Sequence, residues 1–222
     1  MTASLSASST LNGPAGRPGG SHASGHRGGP GVASRQPWPP APGDGLAVDG
    51  SVAGRAPLQL VAQPEGLLQV HTAPFRGSFS AVLSQALRTA GLGSRVLISQ
   101  FLKGGVEQGL AHSPWLCGRL QWLRPAVPAC LGEPAASHDS DICAAVREVW
   151  TFSREQLLAG AVDLMVLDEL ALAVQLDYIP LADVLRVLEE RPAHLDVILT
   201  GPAMAPELMA LADQVTQLRR GL

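Results

Sequence analysis

Lysine is almost missing from this 222-residue chain: Lys103 stands alone beside 15 arginines. No lysine therefore falls in residues 70 to 91, a stretch laid out as strand, tight turn and helix, which is how a phosphate-binding loop is built. Cysteine is scarce too. Cys117, Cys130 and Cys143 form no CxxC pair, and the six histidines show neither HExxH nor mixed Cys/His spacing. A disulfide framework and a structural zinc site are excluded on that ground. An odd, dispersed set of thiols suits a reducing compartment, so the expected location is the cytoplasm. No apolar run approaches the ~20 residues of a bilayer span, and no membrane partner is expected. Basic excess is also absent. A net charge of −3 with a pI near 6.0 argues against nucleic-acid binding through phosphate neutralisation.

What is present divides the chain in two. Residues 1–57 hold 12 of the 24 glycines among many Pro, Ser and Ala. Such a segment buries too little apolar area to offset its ordering entropy, and it is expected to be a disordered tail. Residues 58–222 are rich in Leu, Val and Ala and are expected to form one α/β domain.

Within that domain short apolar runs alternate with helical patterns. "GLLQVHTA", "SRVLISQF", "RLQWLR", "DLMVLDE", "LDVILTG" and "QVTQL" read as strands. Phe79, Val82, Leu83, Ala86, Leu87 and Ala90 recur at helical spacing, and a helix is expected to end at Gly91. A long helix is expected across "SHDSDICAAVREVWTFSREQLLAG", with Ile142, Ala145, Val146 and Val149 inward. Pro180 opens another, with Leu181, Val184, Leu185 and Leu188 inward, and "APELMALA" a short one. This alternation predicts an α/β fold built on a mostly parallel sheet with helices on both faces.

Ligands of such sheets sit beyond the carboxyl ends of the strands, and two ends carry chemistry. On the template GxxxxGK[ST], the loop from Thr72 to Ser80 keeps Gly77 but has Ala73 for the first glycine, Ser78 for the lysine and Phe79 for the hydroxyl. A helix N-terminus remains as an anion site, with Arg76, Ser78 and Ser80 as added donors. Taken alone, the loop reads as an ordinary strand–helix turn before it reads as a phosphate cradle. At the second end, Asp168 and Glu169 follow the apolar strand "LMVLDEL" in the form of a Walker B element, where a carboxylate holds Mg²⁺. Taken alone, they also read as a solvated turn. His71 reads as a packed or hydrogen-bonded histidine, and Trp115, Trp122 and Trp150 as packing groups.

The run "DLMVLDELALAVQLDYIPLADVLRVLEERPAHLDVILTGPAMAPELMALADQVTQLR", with "ALRTAGLGSRVLISQFLKGG" and "DICAAVREVW" upstream, strongly resembles the P-loop type of ATP:corrinoid adenosyltransferases. The likeness spans most of residues 67 to 219 and leaves out the tail. It implies a dimeric enzyme of cobalamin biosynthesis that binds ATP with Mg²⁺ and lets a reduced corrinoid attack the ribose 5′ carbon. The phosphate clamp so implied is Thr72, Arg76, Gly77, Ser78 and Ser80. Asp168 and Glu169 would be the magnesium carboxylates, with Gln100 and Lys103 lining the same face. Lys103 reads equally as a solvated loop residue.

The departures fall on the reactive positions. The family pattern before the first helix is close to TGxGKGKTT and here is TAPFRGSFS; the Asn expected after DEL is Ala171, and the Arg expected after TG is Pro202. The alternative is a non-catalytic paralogue with a degenerate Walker A loop, binding a nucleotide, a corrinoid or a protein.

Overall fold

Runs of Val, Leu and Ile without polar alternation bury both of their faces, and a parallel sheet covered on both sides is where they fit. The computed structural model describes residues 65–77, 79–105 and 109–219. The tail expected over residues 1–57, and Ser78, lie outside the described residues.

Among the described residues seven strands form one sheet: β1 (Leu68–Thr72), β2 (Val96–Gln100), β3 (Trp115–Leu116), β4 (Leu120–Leu123), β5 (Leu164–Asp168), β6 (Asp196–Gly201) and β7 (Gln214–Gln217). Their order is β3-β4-β2-β5-β6-β1-β7. Every pairing is parallel except that of β3 with β4. All five residues of β2 and all five of β5 are buried, as their composition requires. The described residues also form five α-helices: α1 (Ser80–Gly91), α2 (Ser140–Leu158), α3 (Leu170–Gln175), α4 (Leu181–Glu189) and α5 (Pro206–Leu211).

Each buried strand divides its side chains between two cores by the two-residue period. Val96 and Ile98 of β2, with Val166 of β5 and Ile198 of β6, meet α1 through Val82, Ala86 and Ala90. Leu97, Leu167 and Leu199, one residue along, meet α2, α4 and α5 through Val149, Val184 and Leu208. Helices on both faces and a mostly parallel sheet are therefore what the structure has.

Local differences have local reasons. Leu87, expected on the inner face of α1, is 42% exposed, because the buried stripe of Phe79, Val82, Ala86 and Ala90 is narrow and leaves it at the rim. β3 was not legible as a strand. It is two residues long and turns into β4 through Cys117 and Gly118, both at positive φ (45° and 64°), closed by the Arg119 N–H donating to the Leu116 carbonyl. α3 lacks helical periodicity because Leu170, Ala171 and Ala173 are all buried.

Candidate functional site

The parallel register brings three polar residues abreast at the carboxyl edge of the sheet: Gln100 pairs with Asp168, and Asp168 with Thr200. All three are at most 3% exposed, so their polar atoms must find partners within the protein. They find one another. Asp168 Oδ2 accepts hydrogen bonds from Gln100 Nε2 and Lys103 Nζ, both at 2.7 Å, and Oδ1 accepts one from Thr200 Oγ1 at 2.6 Å. The Gln100 carbonyl faces the other way and accepts from Trp122 Nε1 at 2.8 Å and Arg124 Nε at 2.9 Å. The Arg124 guanidinium also lies over the Trp122 ring, 5.6 Å from its centre.

Glu169, the next residue, is 1% exposed and sits in the left-handed region at φ 61°. A non-glycine residue held there stores backbone strain, which the surroundings must over-determine. They do so through the Glu169 N–H, which donates to the Thr200 carbonyl at 2.8 Å, and through Gly201, where an added Cβ would lie 3.1 Å from Glu169 Cα. The Glu169 carboxylate is thereby aimed at Arg76. Nε and one terminal nitrogen of Arg76 donate to its two oxygens at 2.7 and 2.8 Å, a fork-on-fork pair. The same guanidinium donates to the Leu131 and Leu102 carbonyls. Hydrogen bonding to Glu169 holds the Arg76 guanidinium above its ordinary pKa, against the opposing effect of burial and with help from the Glu169 and Asp168 charges.

Arg76 thus ties the turn before α1 to the loops after β2 and β4. Those loops are themselves joined: the Leu131 N–H donates to the Leu102 carbonyl, and a Cβ on Gly104 would fall 2.4 Å from the Val127 carbonyl oxygen. That close approach fixes the backbone beside Lys103.

The structure therefore brings Arg76, Gln100, Lys103, Asp168 and Glu169 into one network. Lys103 is an ion-paired group rather than a solvated loop residue. Thr72 ends β1 and lines a cavity of about 360 Å³ with Pro74, Met204, Met209, Gln217 and Arg219; that cavity reaches none of the ion-paired groups. Gly77 has only the Phe75 ring near its Cβ position, at 3.6 Å, so the backbone there does not demand glycine. Ser80 lies exposed in the first turn of α1, whose start has no side-chain cap and no acidic residue. Ser78 is outside the described residues. His71 is packed, as expected, with its Nε2 buried and without a hydrogen-bond partner, and burial lowers its pKa. Trp150 packs against Phe101 and donates to Asp183 at 2.7 Å.

Sequence reasoning missed Thr200 and Arg124, and it read Trp122 as a packing group where the structure has it donating to Gln100. The strand-end rule pointed to the first two, since Thr200 stands at the end of β6 and Arg124 just past the end of β4. A second cavity of about 260 Å³ lies at that flank, lined by Pro114, Leu116, Trp122 and Arg124. Among the described residues no group of three His, Cys, Asp or Glu side chains forms a metal cluster, and no helix is long and apolar enough to cross a membrane.

The family model described as ATP:corrinoid adenosyltransferase BtuR/CobO/CobP matches residues 64–221. The corrinoid adenosyltransferase of Escherichia coli K12 is 33% identical over 165 residues, covering 71% of this chain and 79% of that protein. Corrinoid adenosyltransferase CobA of Salmonella typhimurium is 32% identical over the same length and shares, and the corrinoid adenosyltransferase of Pseudomonas aeruginosa is 29% identical over 157 residues, covering 69% and 74%. This chain belongs to the ATP:corrinoid adenosyltransferase family.

Proposed function

We propose that this chain transfers the adenosyl group of ATP to the cobalt of a reduced corrinoid, on the face made by the carboxyl ends of β1, β2, β5 and β6. In that step the Co(I) electron pair attacks the ribose 5′ carbon and a Co–C bond forms. The C5′–O bond breaks, triphosphate leaves with the bonding pair, and cobalt is formally oxidised to Co(III). The protein's task is to hold C5′ in line and to offset charge building on the departing triphosphate.

The observation that carries this reading is the cation count at the strand ends. Among the described residues Arg76, Lys103 and Arg124 converge on a network holding two carboxylates, Asp168 and Glu169, which leaves one positive charge in excess. The uncapped start of α1 adds backbone N–H groups of the same sign. In this reading Thr72, Gly77, Ser78 and Ser80 present donors to the phosphates, and no step is assigned to a divalent metal.

The test is an adenosylation assay on the purified full chain with ATP and a chemically reduced corrinoid, following the light-sensitive Co–C bond by absorbance. Adenosylcorrinoid and triphosphate appearing in equal amounts support the proposal; no product above the protein-free control overturns it. One observation favours a second reading, a binding module that does not catalyse transfer. The Arg76 guanidinium already serves four acceptors, which leaves it little to offer a leaving group. An ATP-dependent rise in melting temperature without any adenosylated product selects that reading.

A further inference from the structure

A strand-end carboxylate pair beside a P-loop-shaped turn is ordinarily read as the seat of a divalent cation, and magnesium requires near-octahedral access to free oxygen lone pairs. The oxygens of this pair are already committed. Asp168 Oδ2 receives two donors, one of them the Lys103 ammonium at 2.7 Å, and its Oδ1 receives the Thr200 hydroxyl. Both Glu169 oxygens receive Arg76. With the two carboxylates 3% and 1% exposed, little room remains for the waters that a magnesium ion keeps.

Residue choice points the same way. Lys103 is the chain's only lysine and pairs with Asp168. The Glu169 partner is an arginine, whose planar fork matches both carboxylate oxygens where a lysine would meet one. Arg76 keeps about a third of its side chain exposed, yet the Leu102 and Leu131 carbonyls fix its guanidinium further in place.

We infer that Arg76 and Lys103 are built-in counter-cations that occupy the place of a divalent metal, so that Asp168 and Glu169 do not form a magnesium site. Any polyphosphate on this face is then met by side-chain cations. The inference refines the proposed reaction but concerns the carboxylates themselves, and its test involves neither ATP nor corrinoid.

Manganese serves as the probe, because free Mn²⁺ gives an electron paramagnetic resonance signal that binding removes. The full-length protein is expected to leave that signal, and its own melting temperature, unchanged at millimolar Mn²⁺. The double variant Arg76→Gln/Lys103→Gln is expected to take up one Mn²⁺ per chain. At about 100-fold above Kd its melting temperature should rise by on the order of 5 °C. Adding Asp168→Asn and Glu169→Gln should abolish both effects. One Mn²⁺ bound by the unmodified protein and lost in Asp168→Asn overturns the inference, and so does a folded double variant that ignores Mn²⁺. If the double variant fails to fold, the unmodified protein's titration still decides. A failed adenosylation assay leaves the manganese result standing, so the two proposals fail separately.

Discussion

Arg76 and Glu169 illustrate how much a single pair decides. The Glu169 side chain is 1% exposed, so an unpaired charge there has nowhere to be hydrated, and removing one partner of a fully buried pair costs about 3–5 kcal/mol. Arg76 keeps 34% of its side chain exposed, which admits water and lowers the expected loss for Arg76→Ala to about 2–3 kcal/mol by urea denaturation. Adding Glu169→Gln should recover most of it, because the orphaned charge is gone; a double variant as weak as the single one would refute the pairing energy. Phe79 makes the complementary point. It occupies the position where the phosphate-loop template has a hydroxyl, yet it is 7% exposed and packed with Val82 and Ile98. Phe79→Thr should cost about 3 kcal/mol and Phe79→Leu markedly less, compared by their urea midpoints. The residue standing at the template's hydroxyl position packs in the core beneath α1.

Among the elements, the strand ends carry the site, and how legible each was follows from its burial pattern. β2, β5 and β6 were readable because continuous apolar runs ending in a polar residue have few other homes than a central parallel strand. Asp168 and Gln100 could be placed for the same reason. What sequence could not supply was register: that Gln100, Asp168 and Thr200 stand abreast depends on pairings between residues 32 and 68 positions apart. The Arg76–Glu169 contact spans 93 positions and was likewise invisible, so Arg76 read as a free donor. Gly201 links element geometry to the site. At φ 129°, with Glu169 Cα 3.1 Å from where its Cβ would be, it lets the end of β6 approach the start of α3. Gly201→Ala should therefore destabilise by about 1–3 kcal/mol through backbone strain, and should also displace Glu169 from Arg76. A crystal structure of the variant retaining the fork-on-fork pair at full stability would contradict this.

Across the whole molecule the two edges of the sheet use charge differently. The carboxyl edge gathers cations around two carboxylates, whereas the amino edge is closed by single aspartates that accept backbone N–H groups. Asp163 takes the Arg95 N–H at 2.7 Å, Asp196 the Leu67 N–H at 2.8 Å and Asp213 the Leu68 N–H at 2.7 Å, each joining neighbouring strands where the chain enters them. Burial pushes the Asp163 carboxyl up, but hydrogen bonds from the Arg95 side chain and backbone outweigh it and hold the group below its ordinary 3.8. A carboxyl depressed in the folded state binds protons less readily there than in the unfolded chain. Its stabilisation is therefore complete above the unfolded value and drains away as pH falls through the folded one. Asp163 is 41% exposed in its side chain, so solvent screening keeps the stake small, and Asp163→Asn should cost under about 1 kcal/mol at pH 7. Urea unfolding repeated from pH 7 down to pH 3 should show the gap between parent and variant constant above pH ~5 and narrowing steadily below pH ~4. A gap that widens on acidification would mean that the Asp163 carboxyl is raised in the folded protein, with burial outweighing Arg95. The amino edge would then lose its clamp between β2 and β5 at neutral pH rather than in acid.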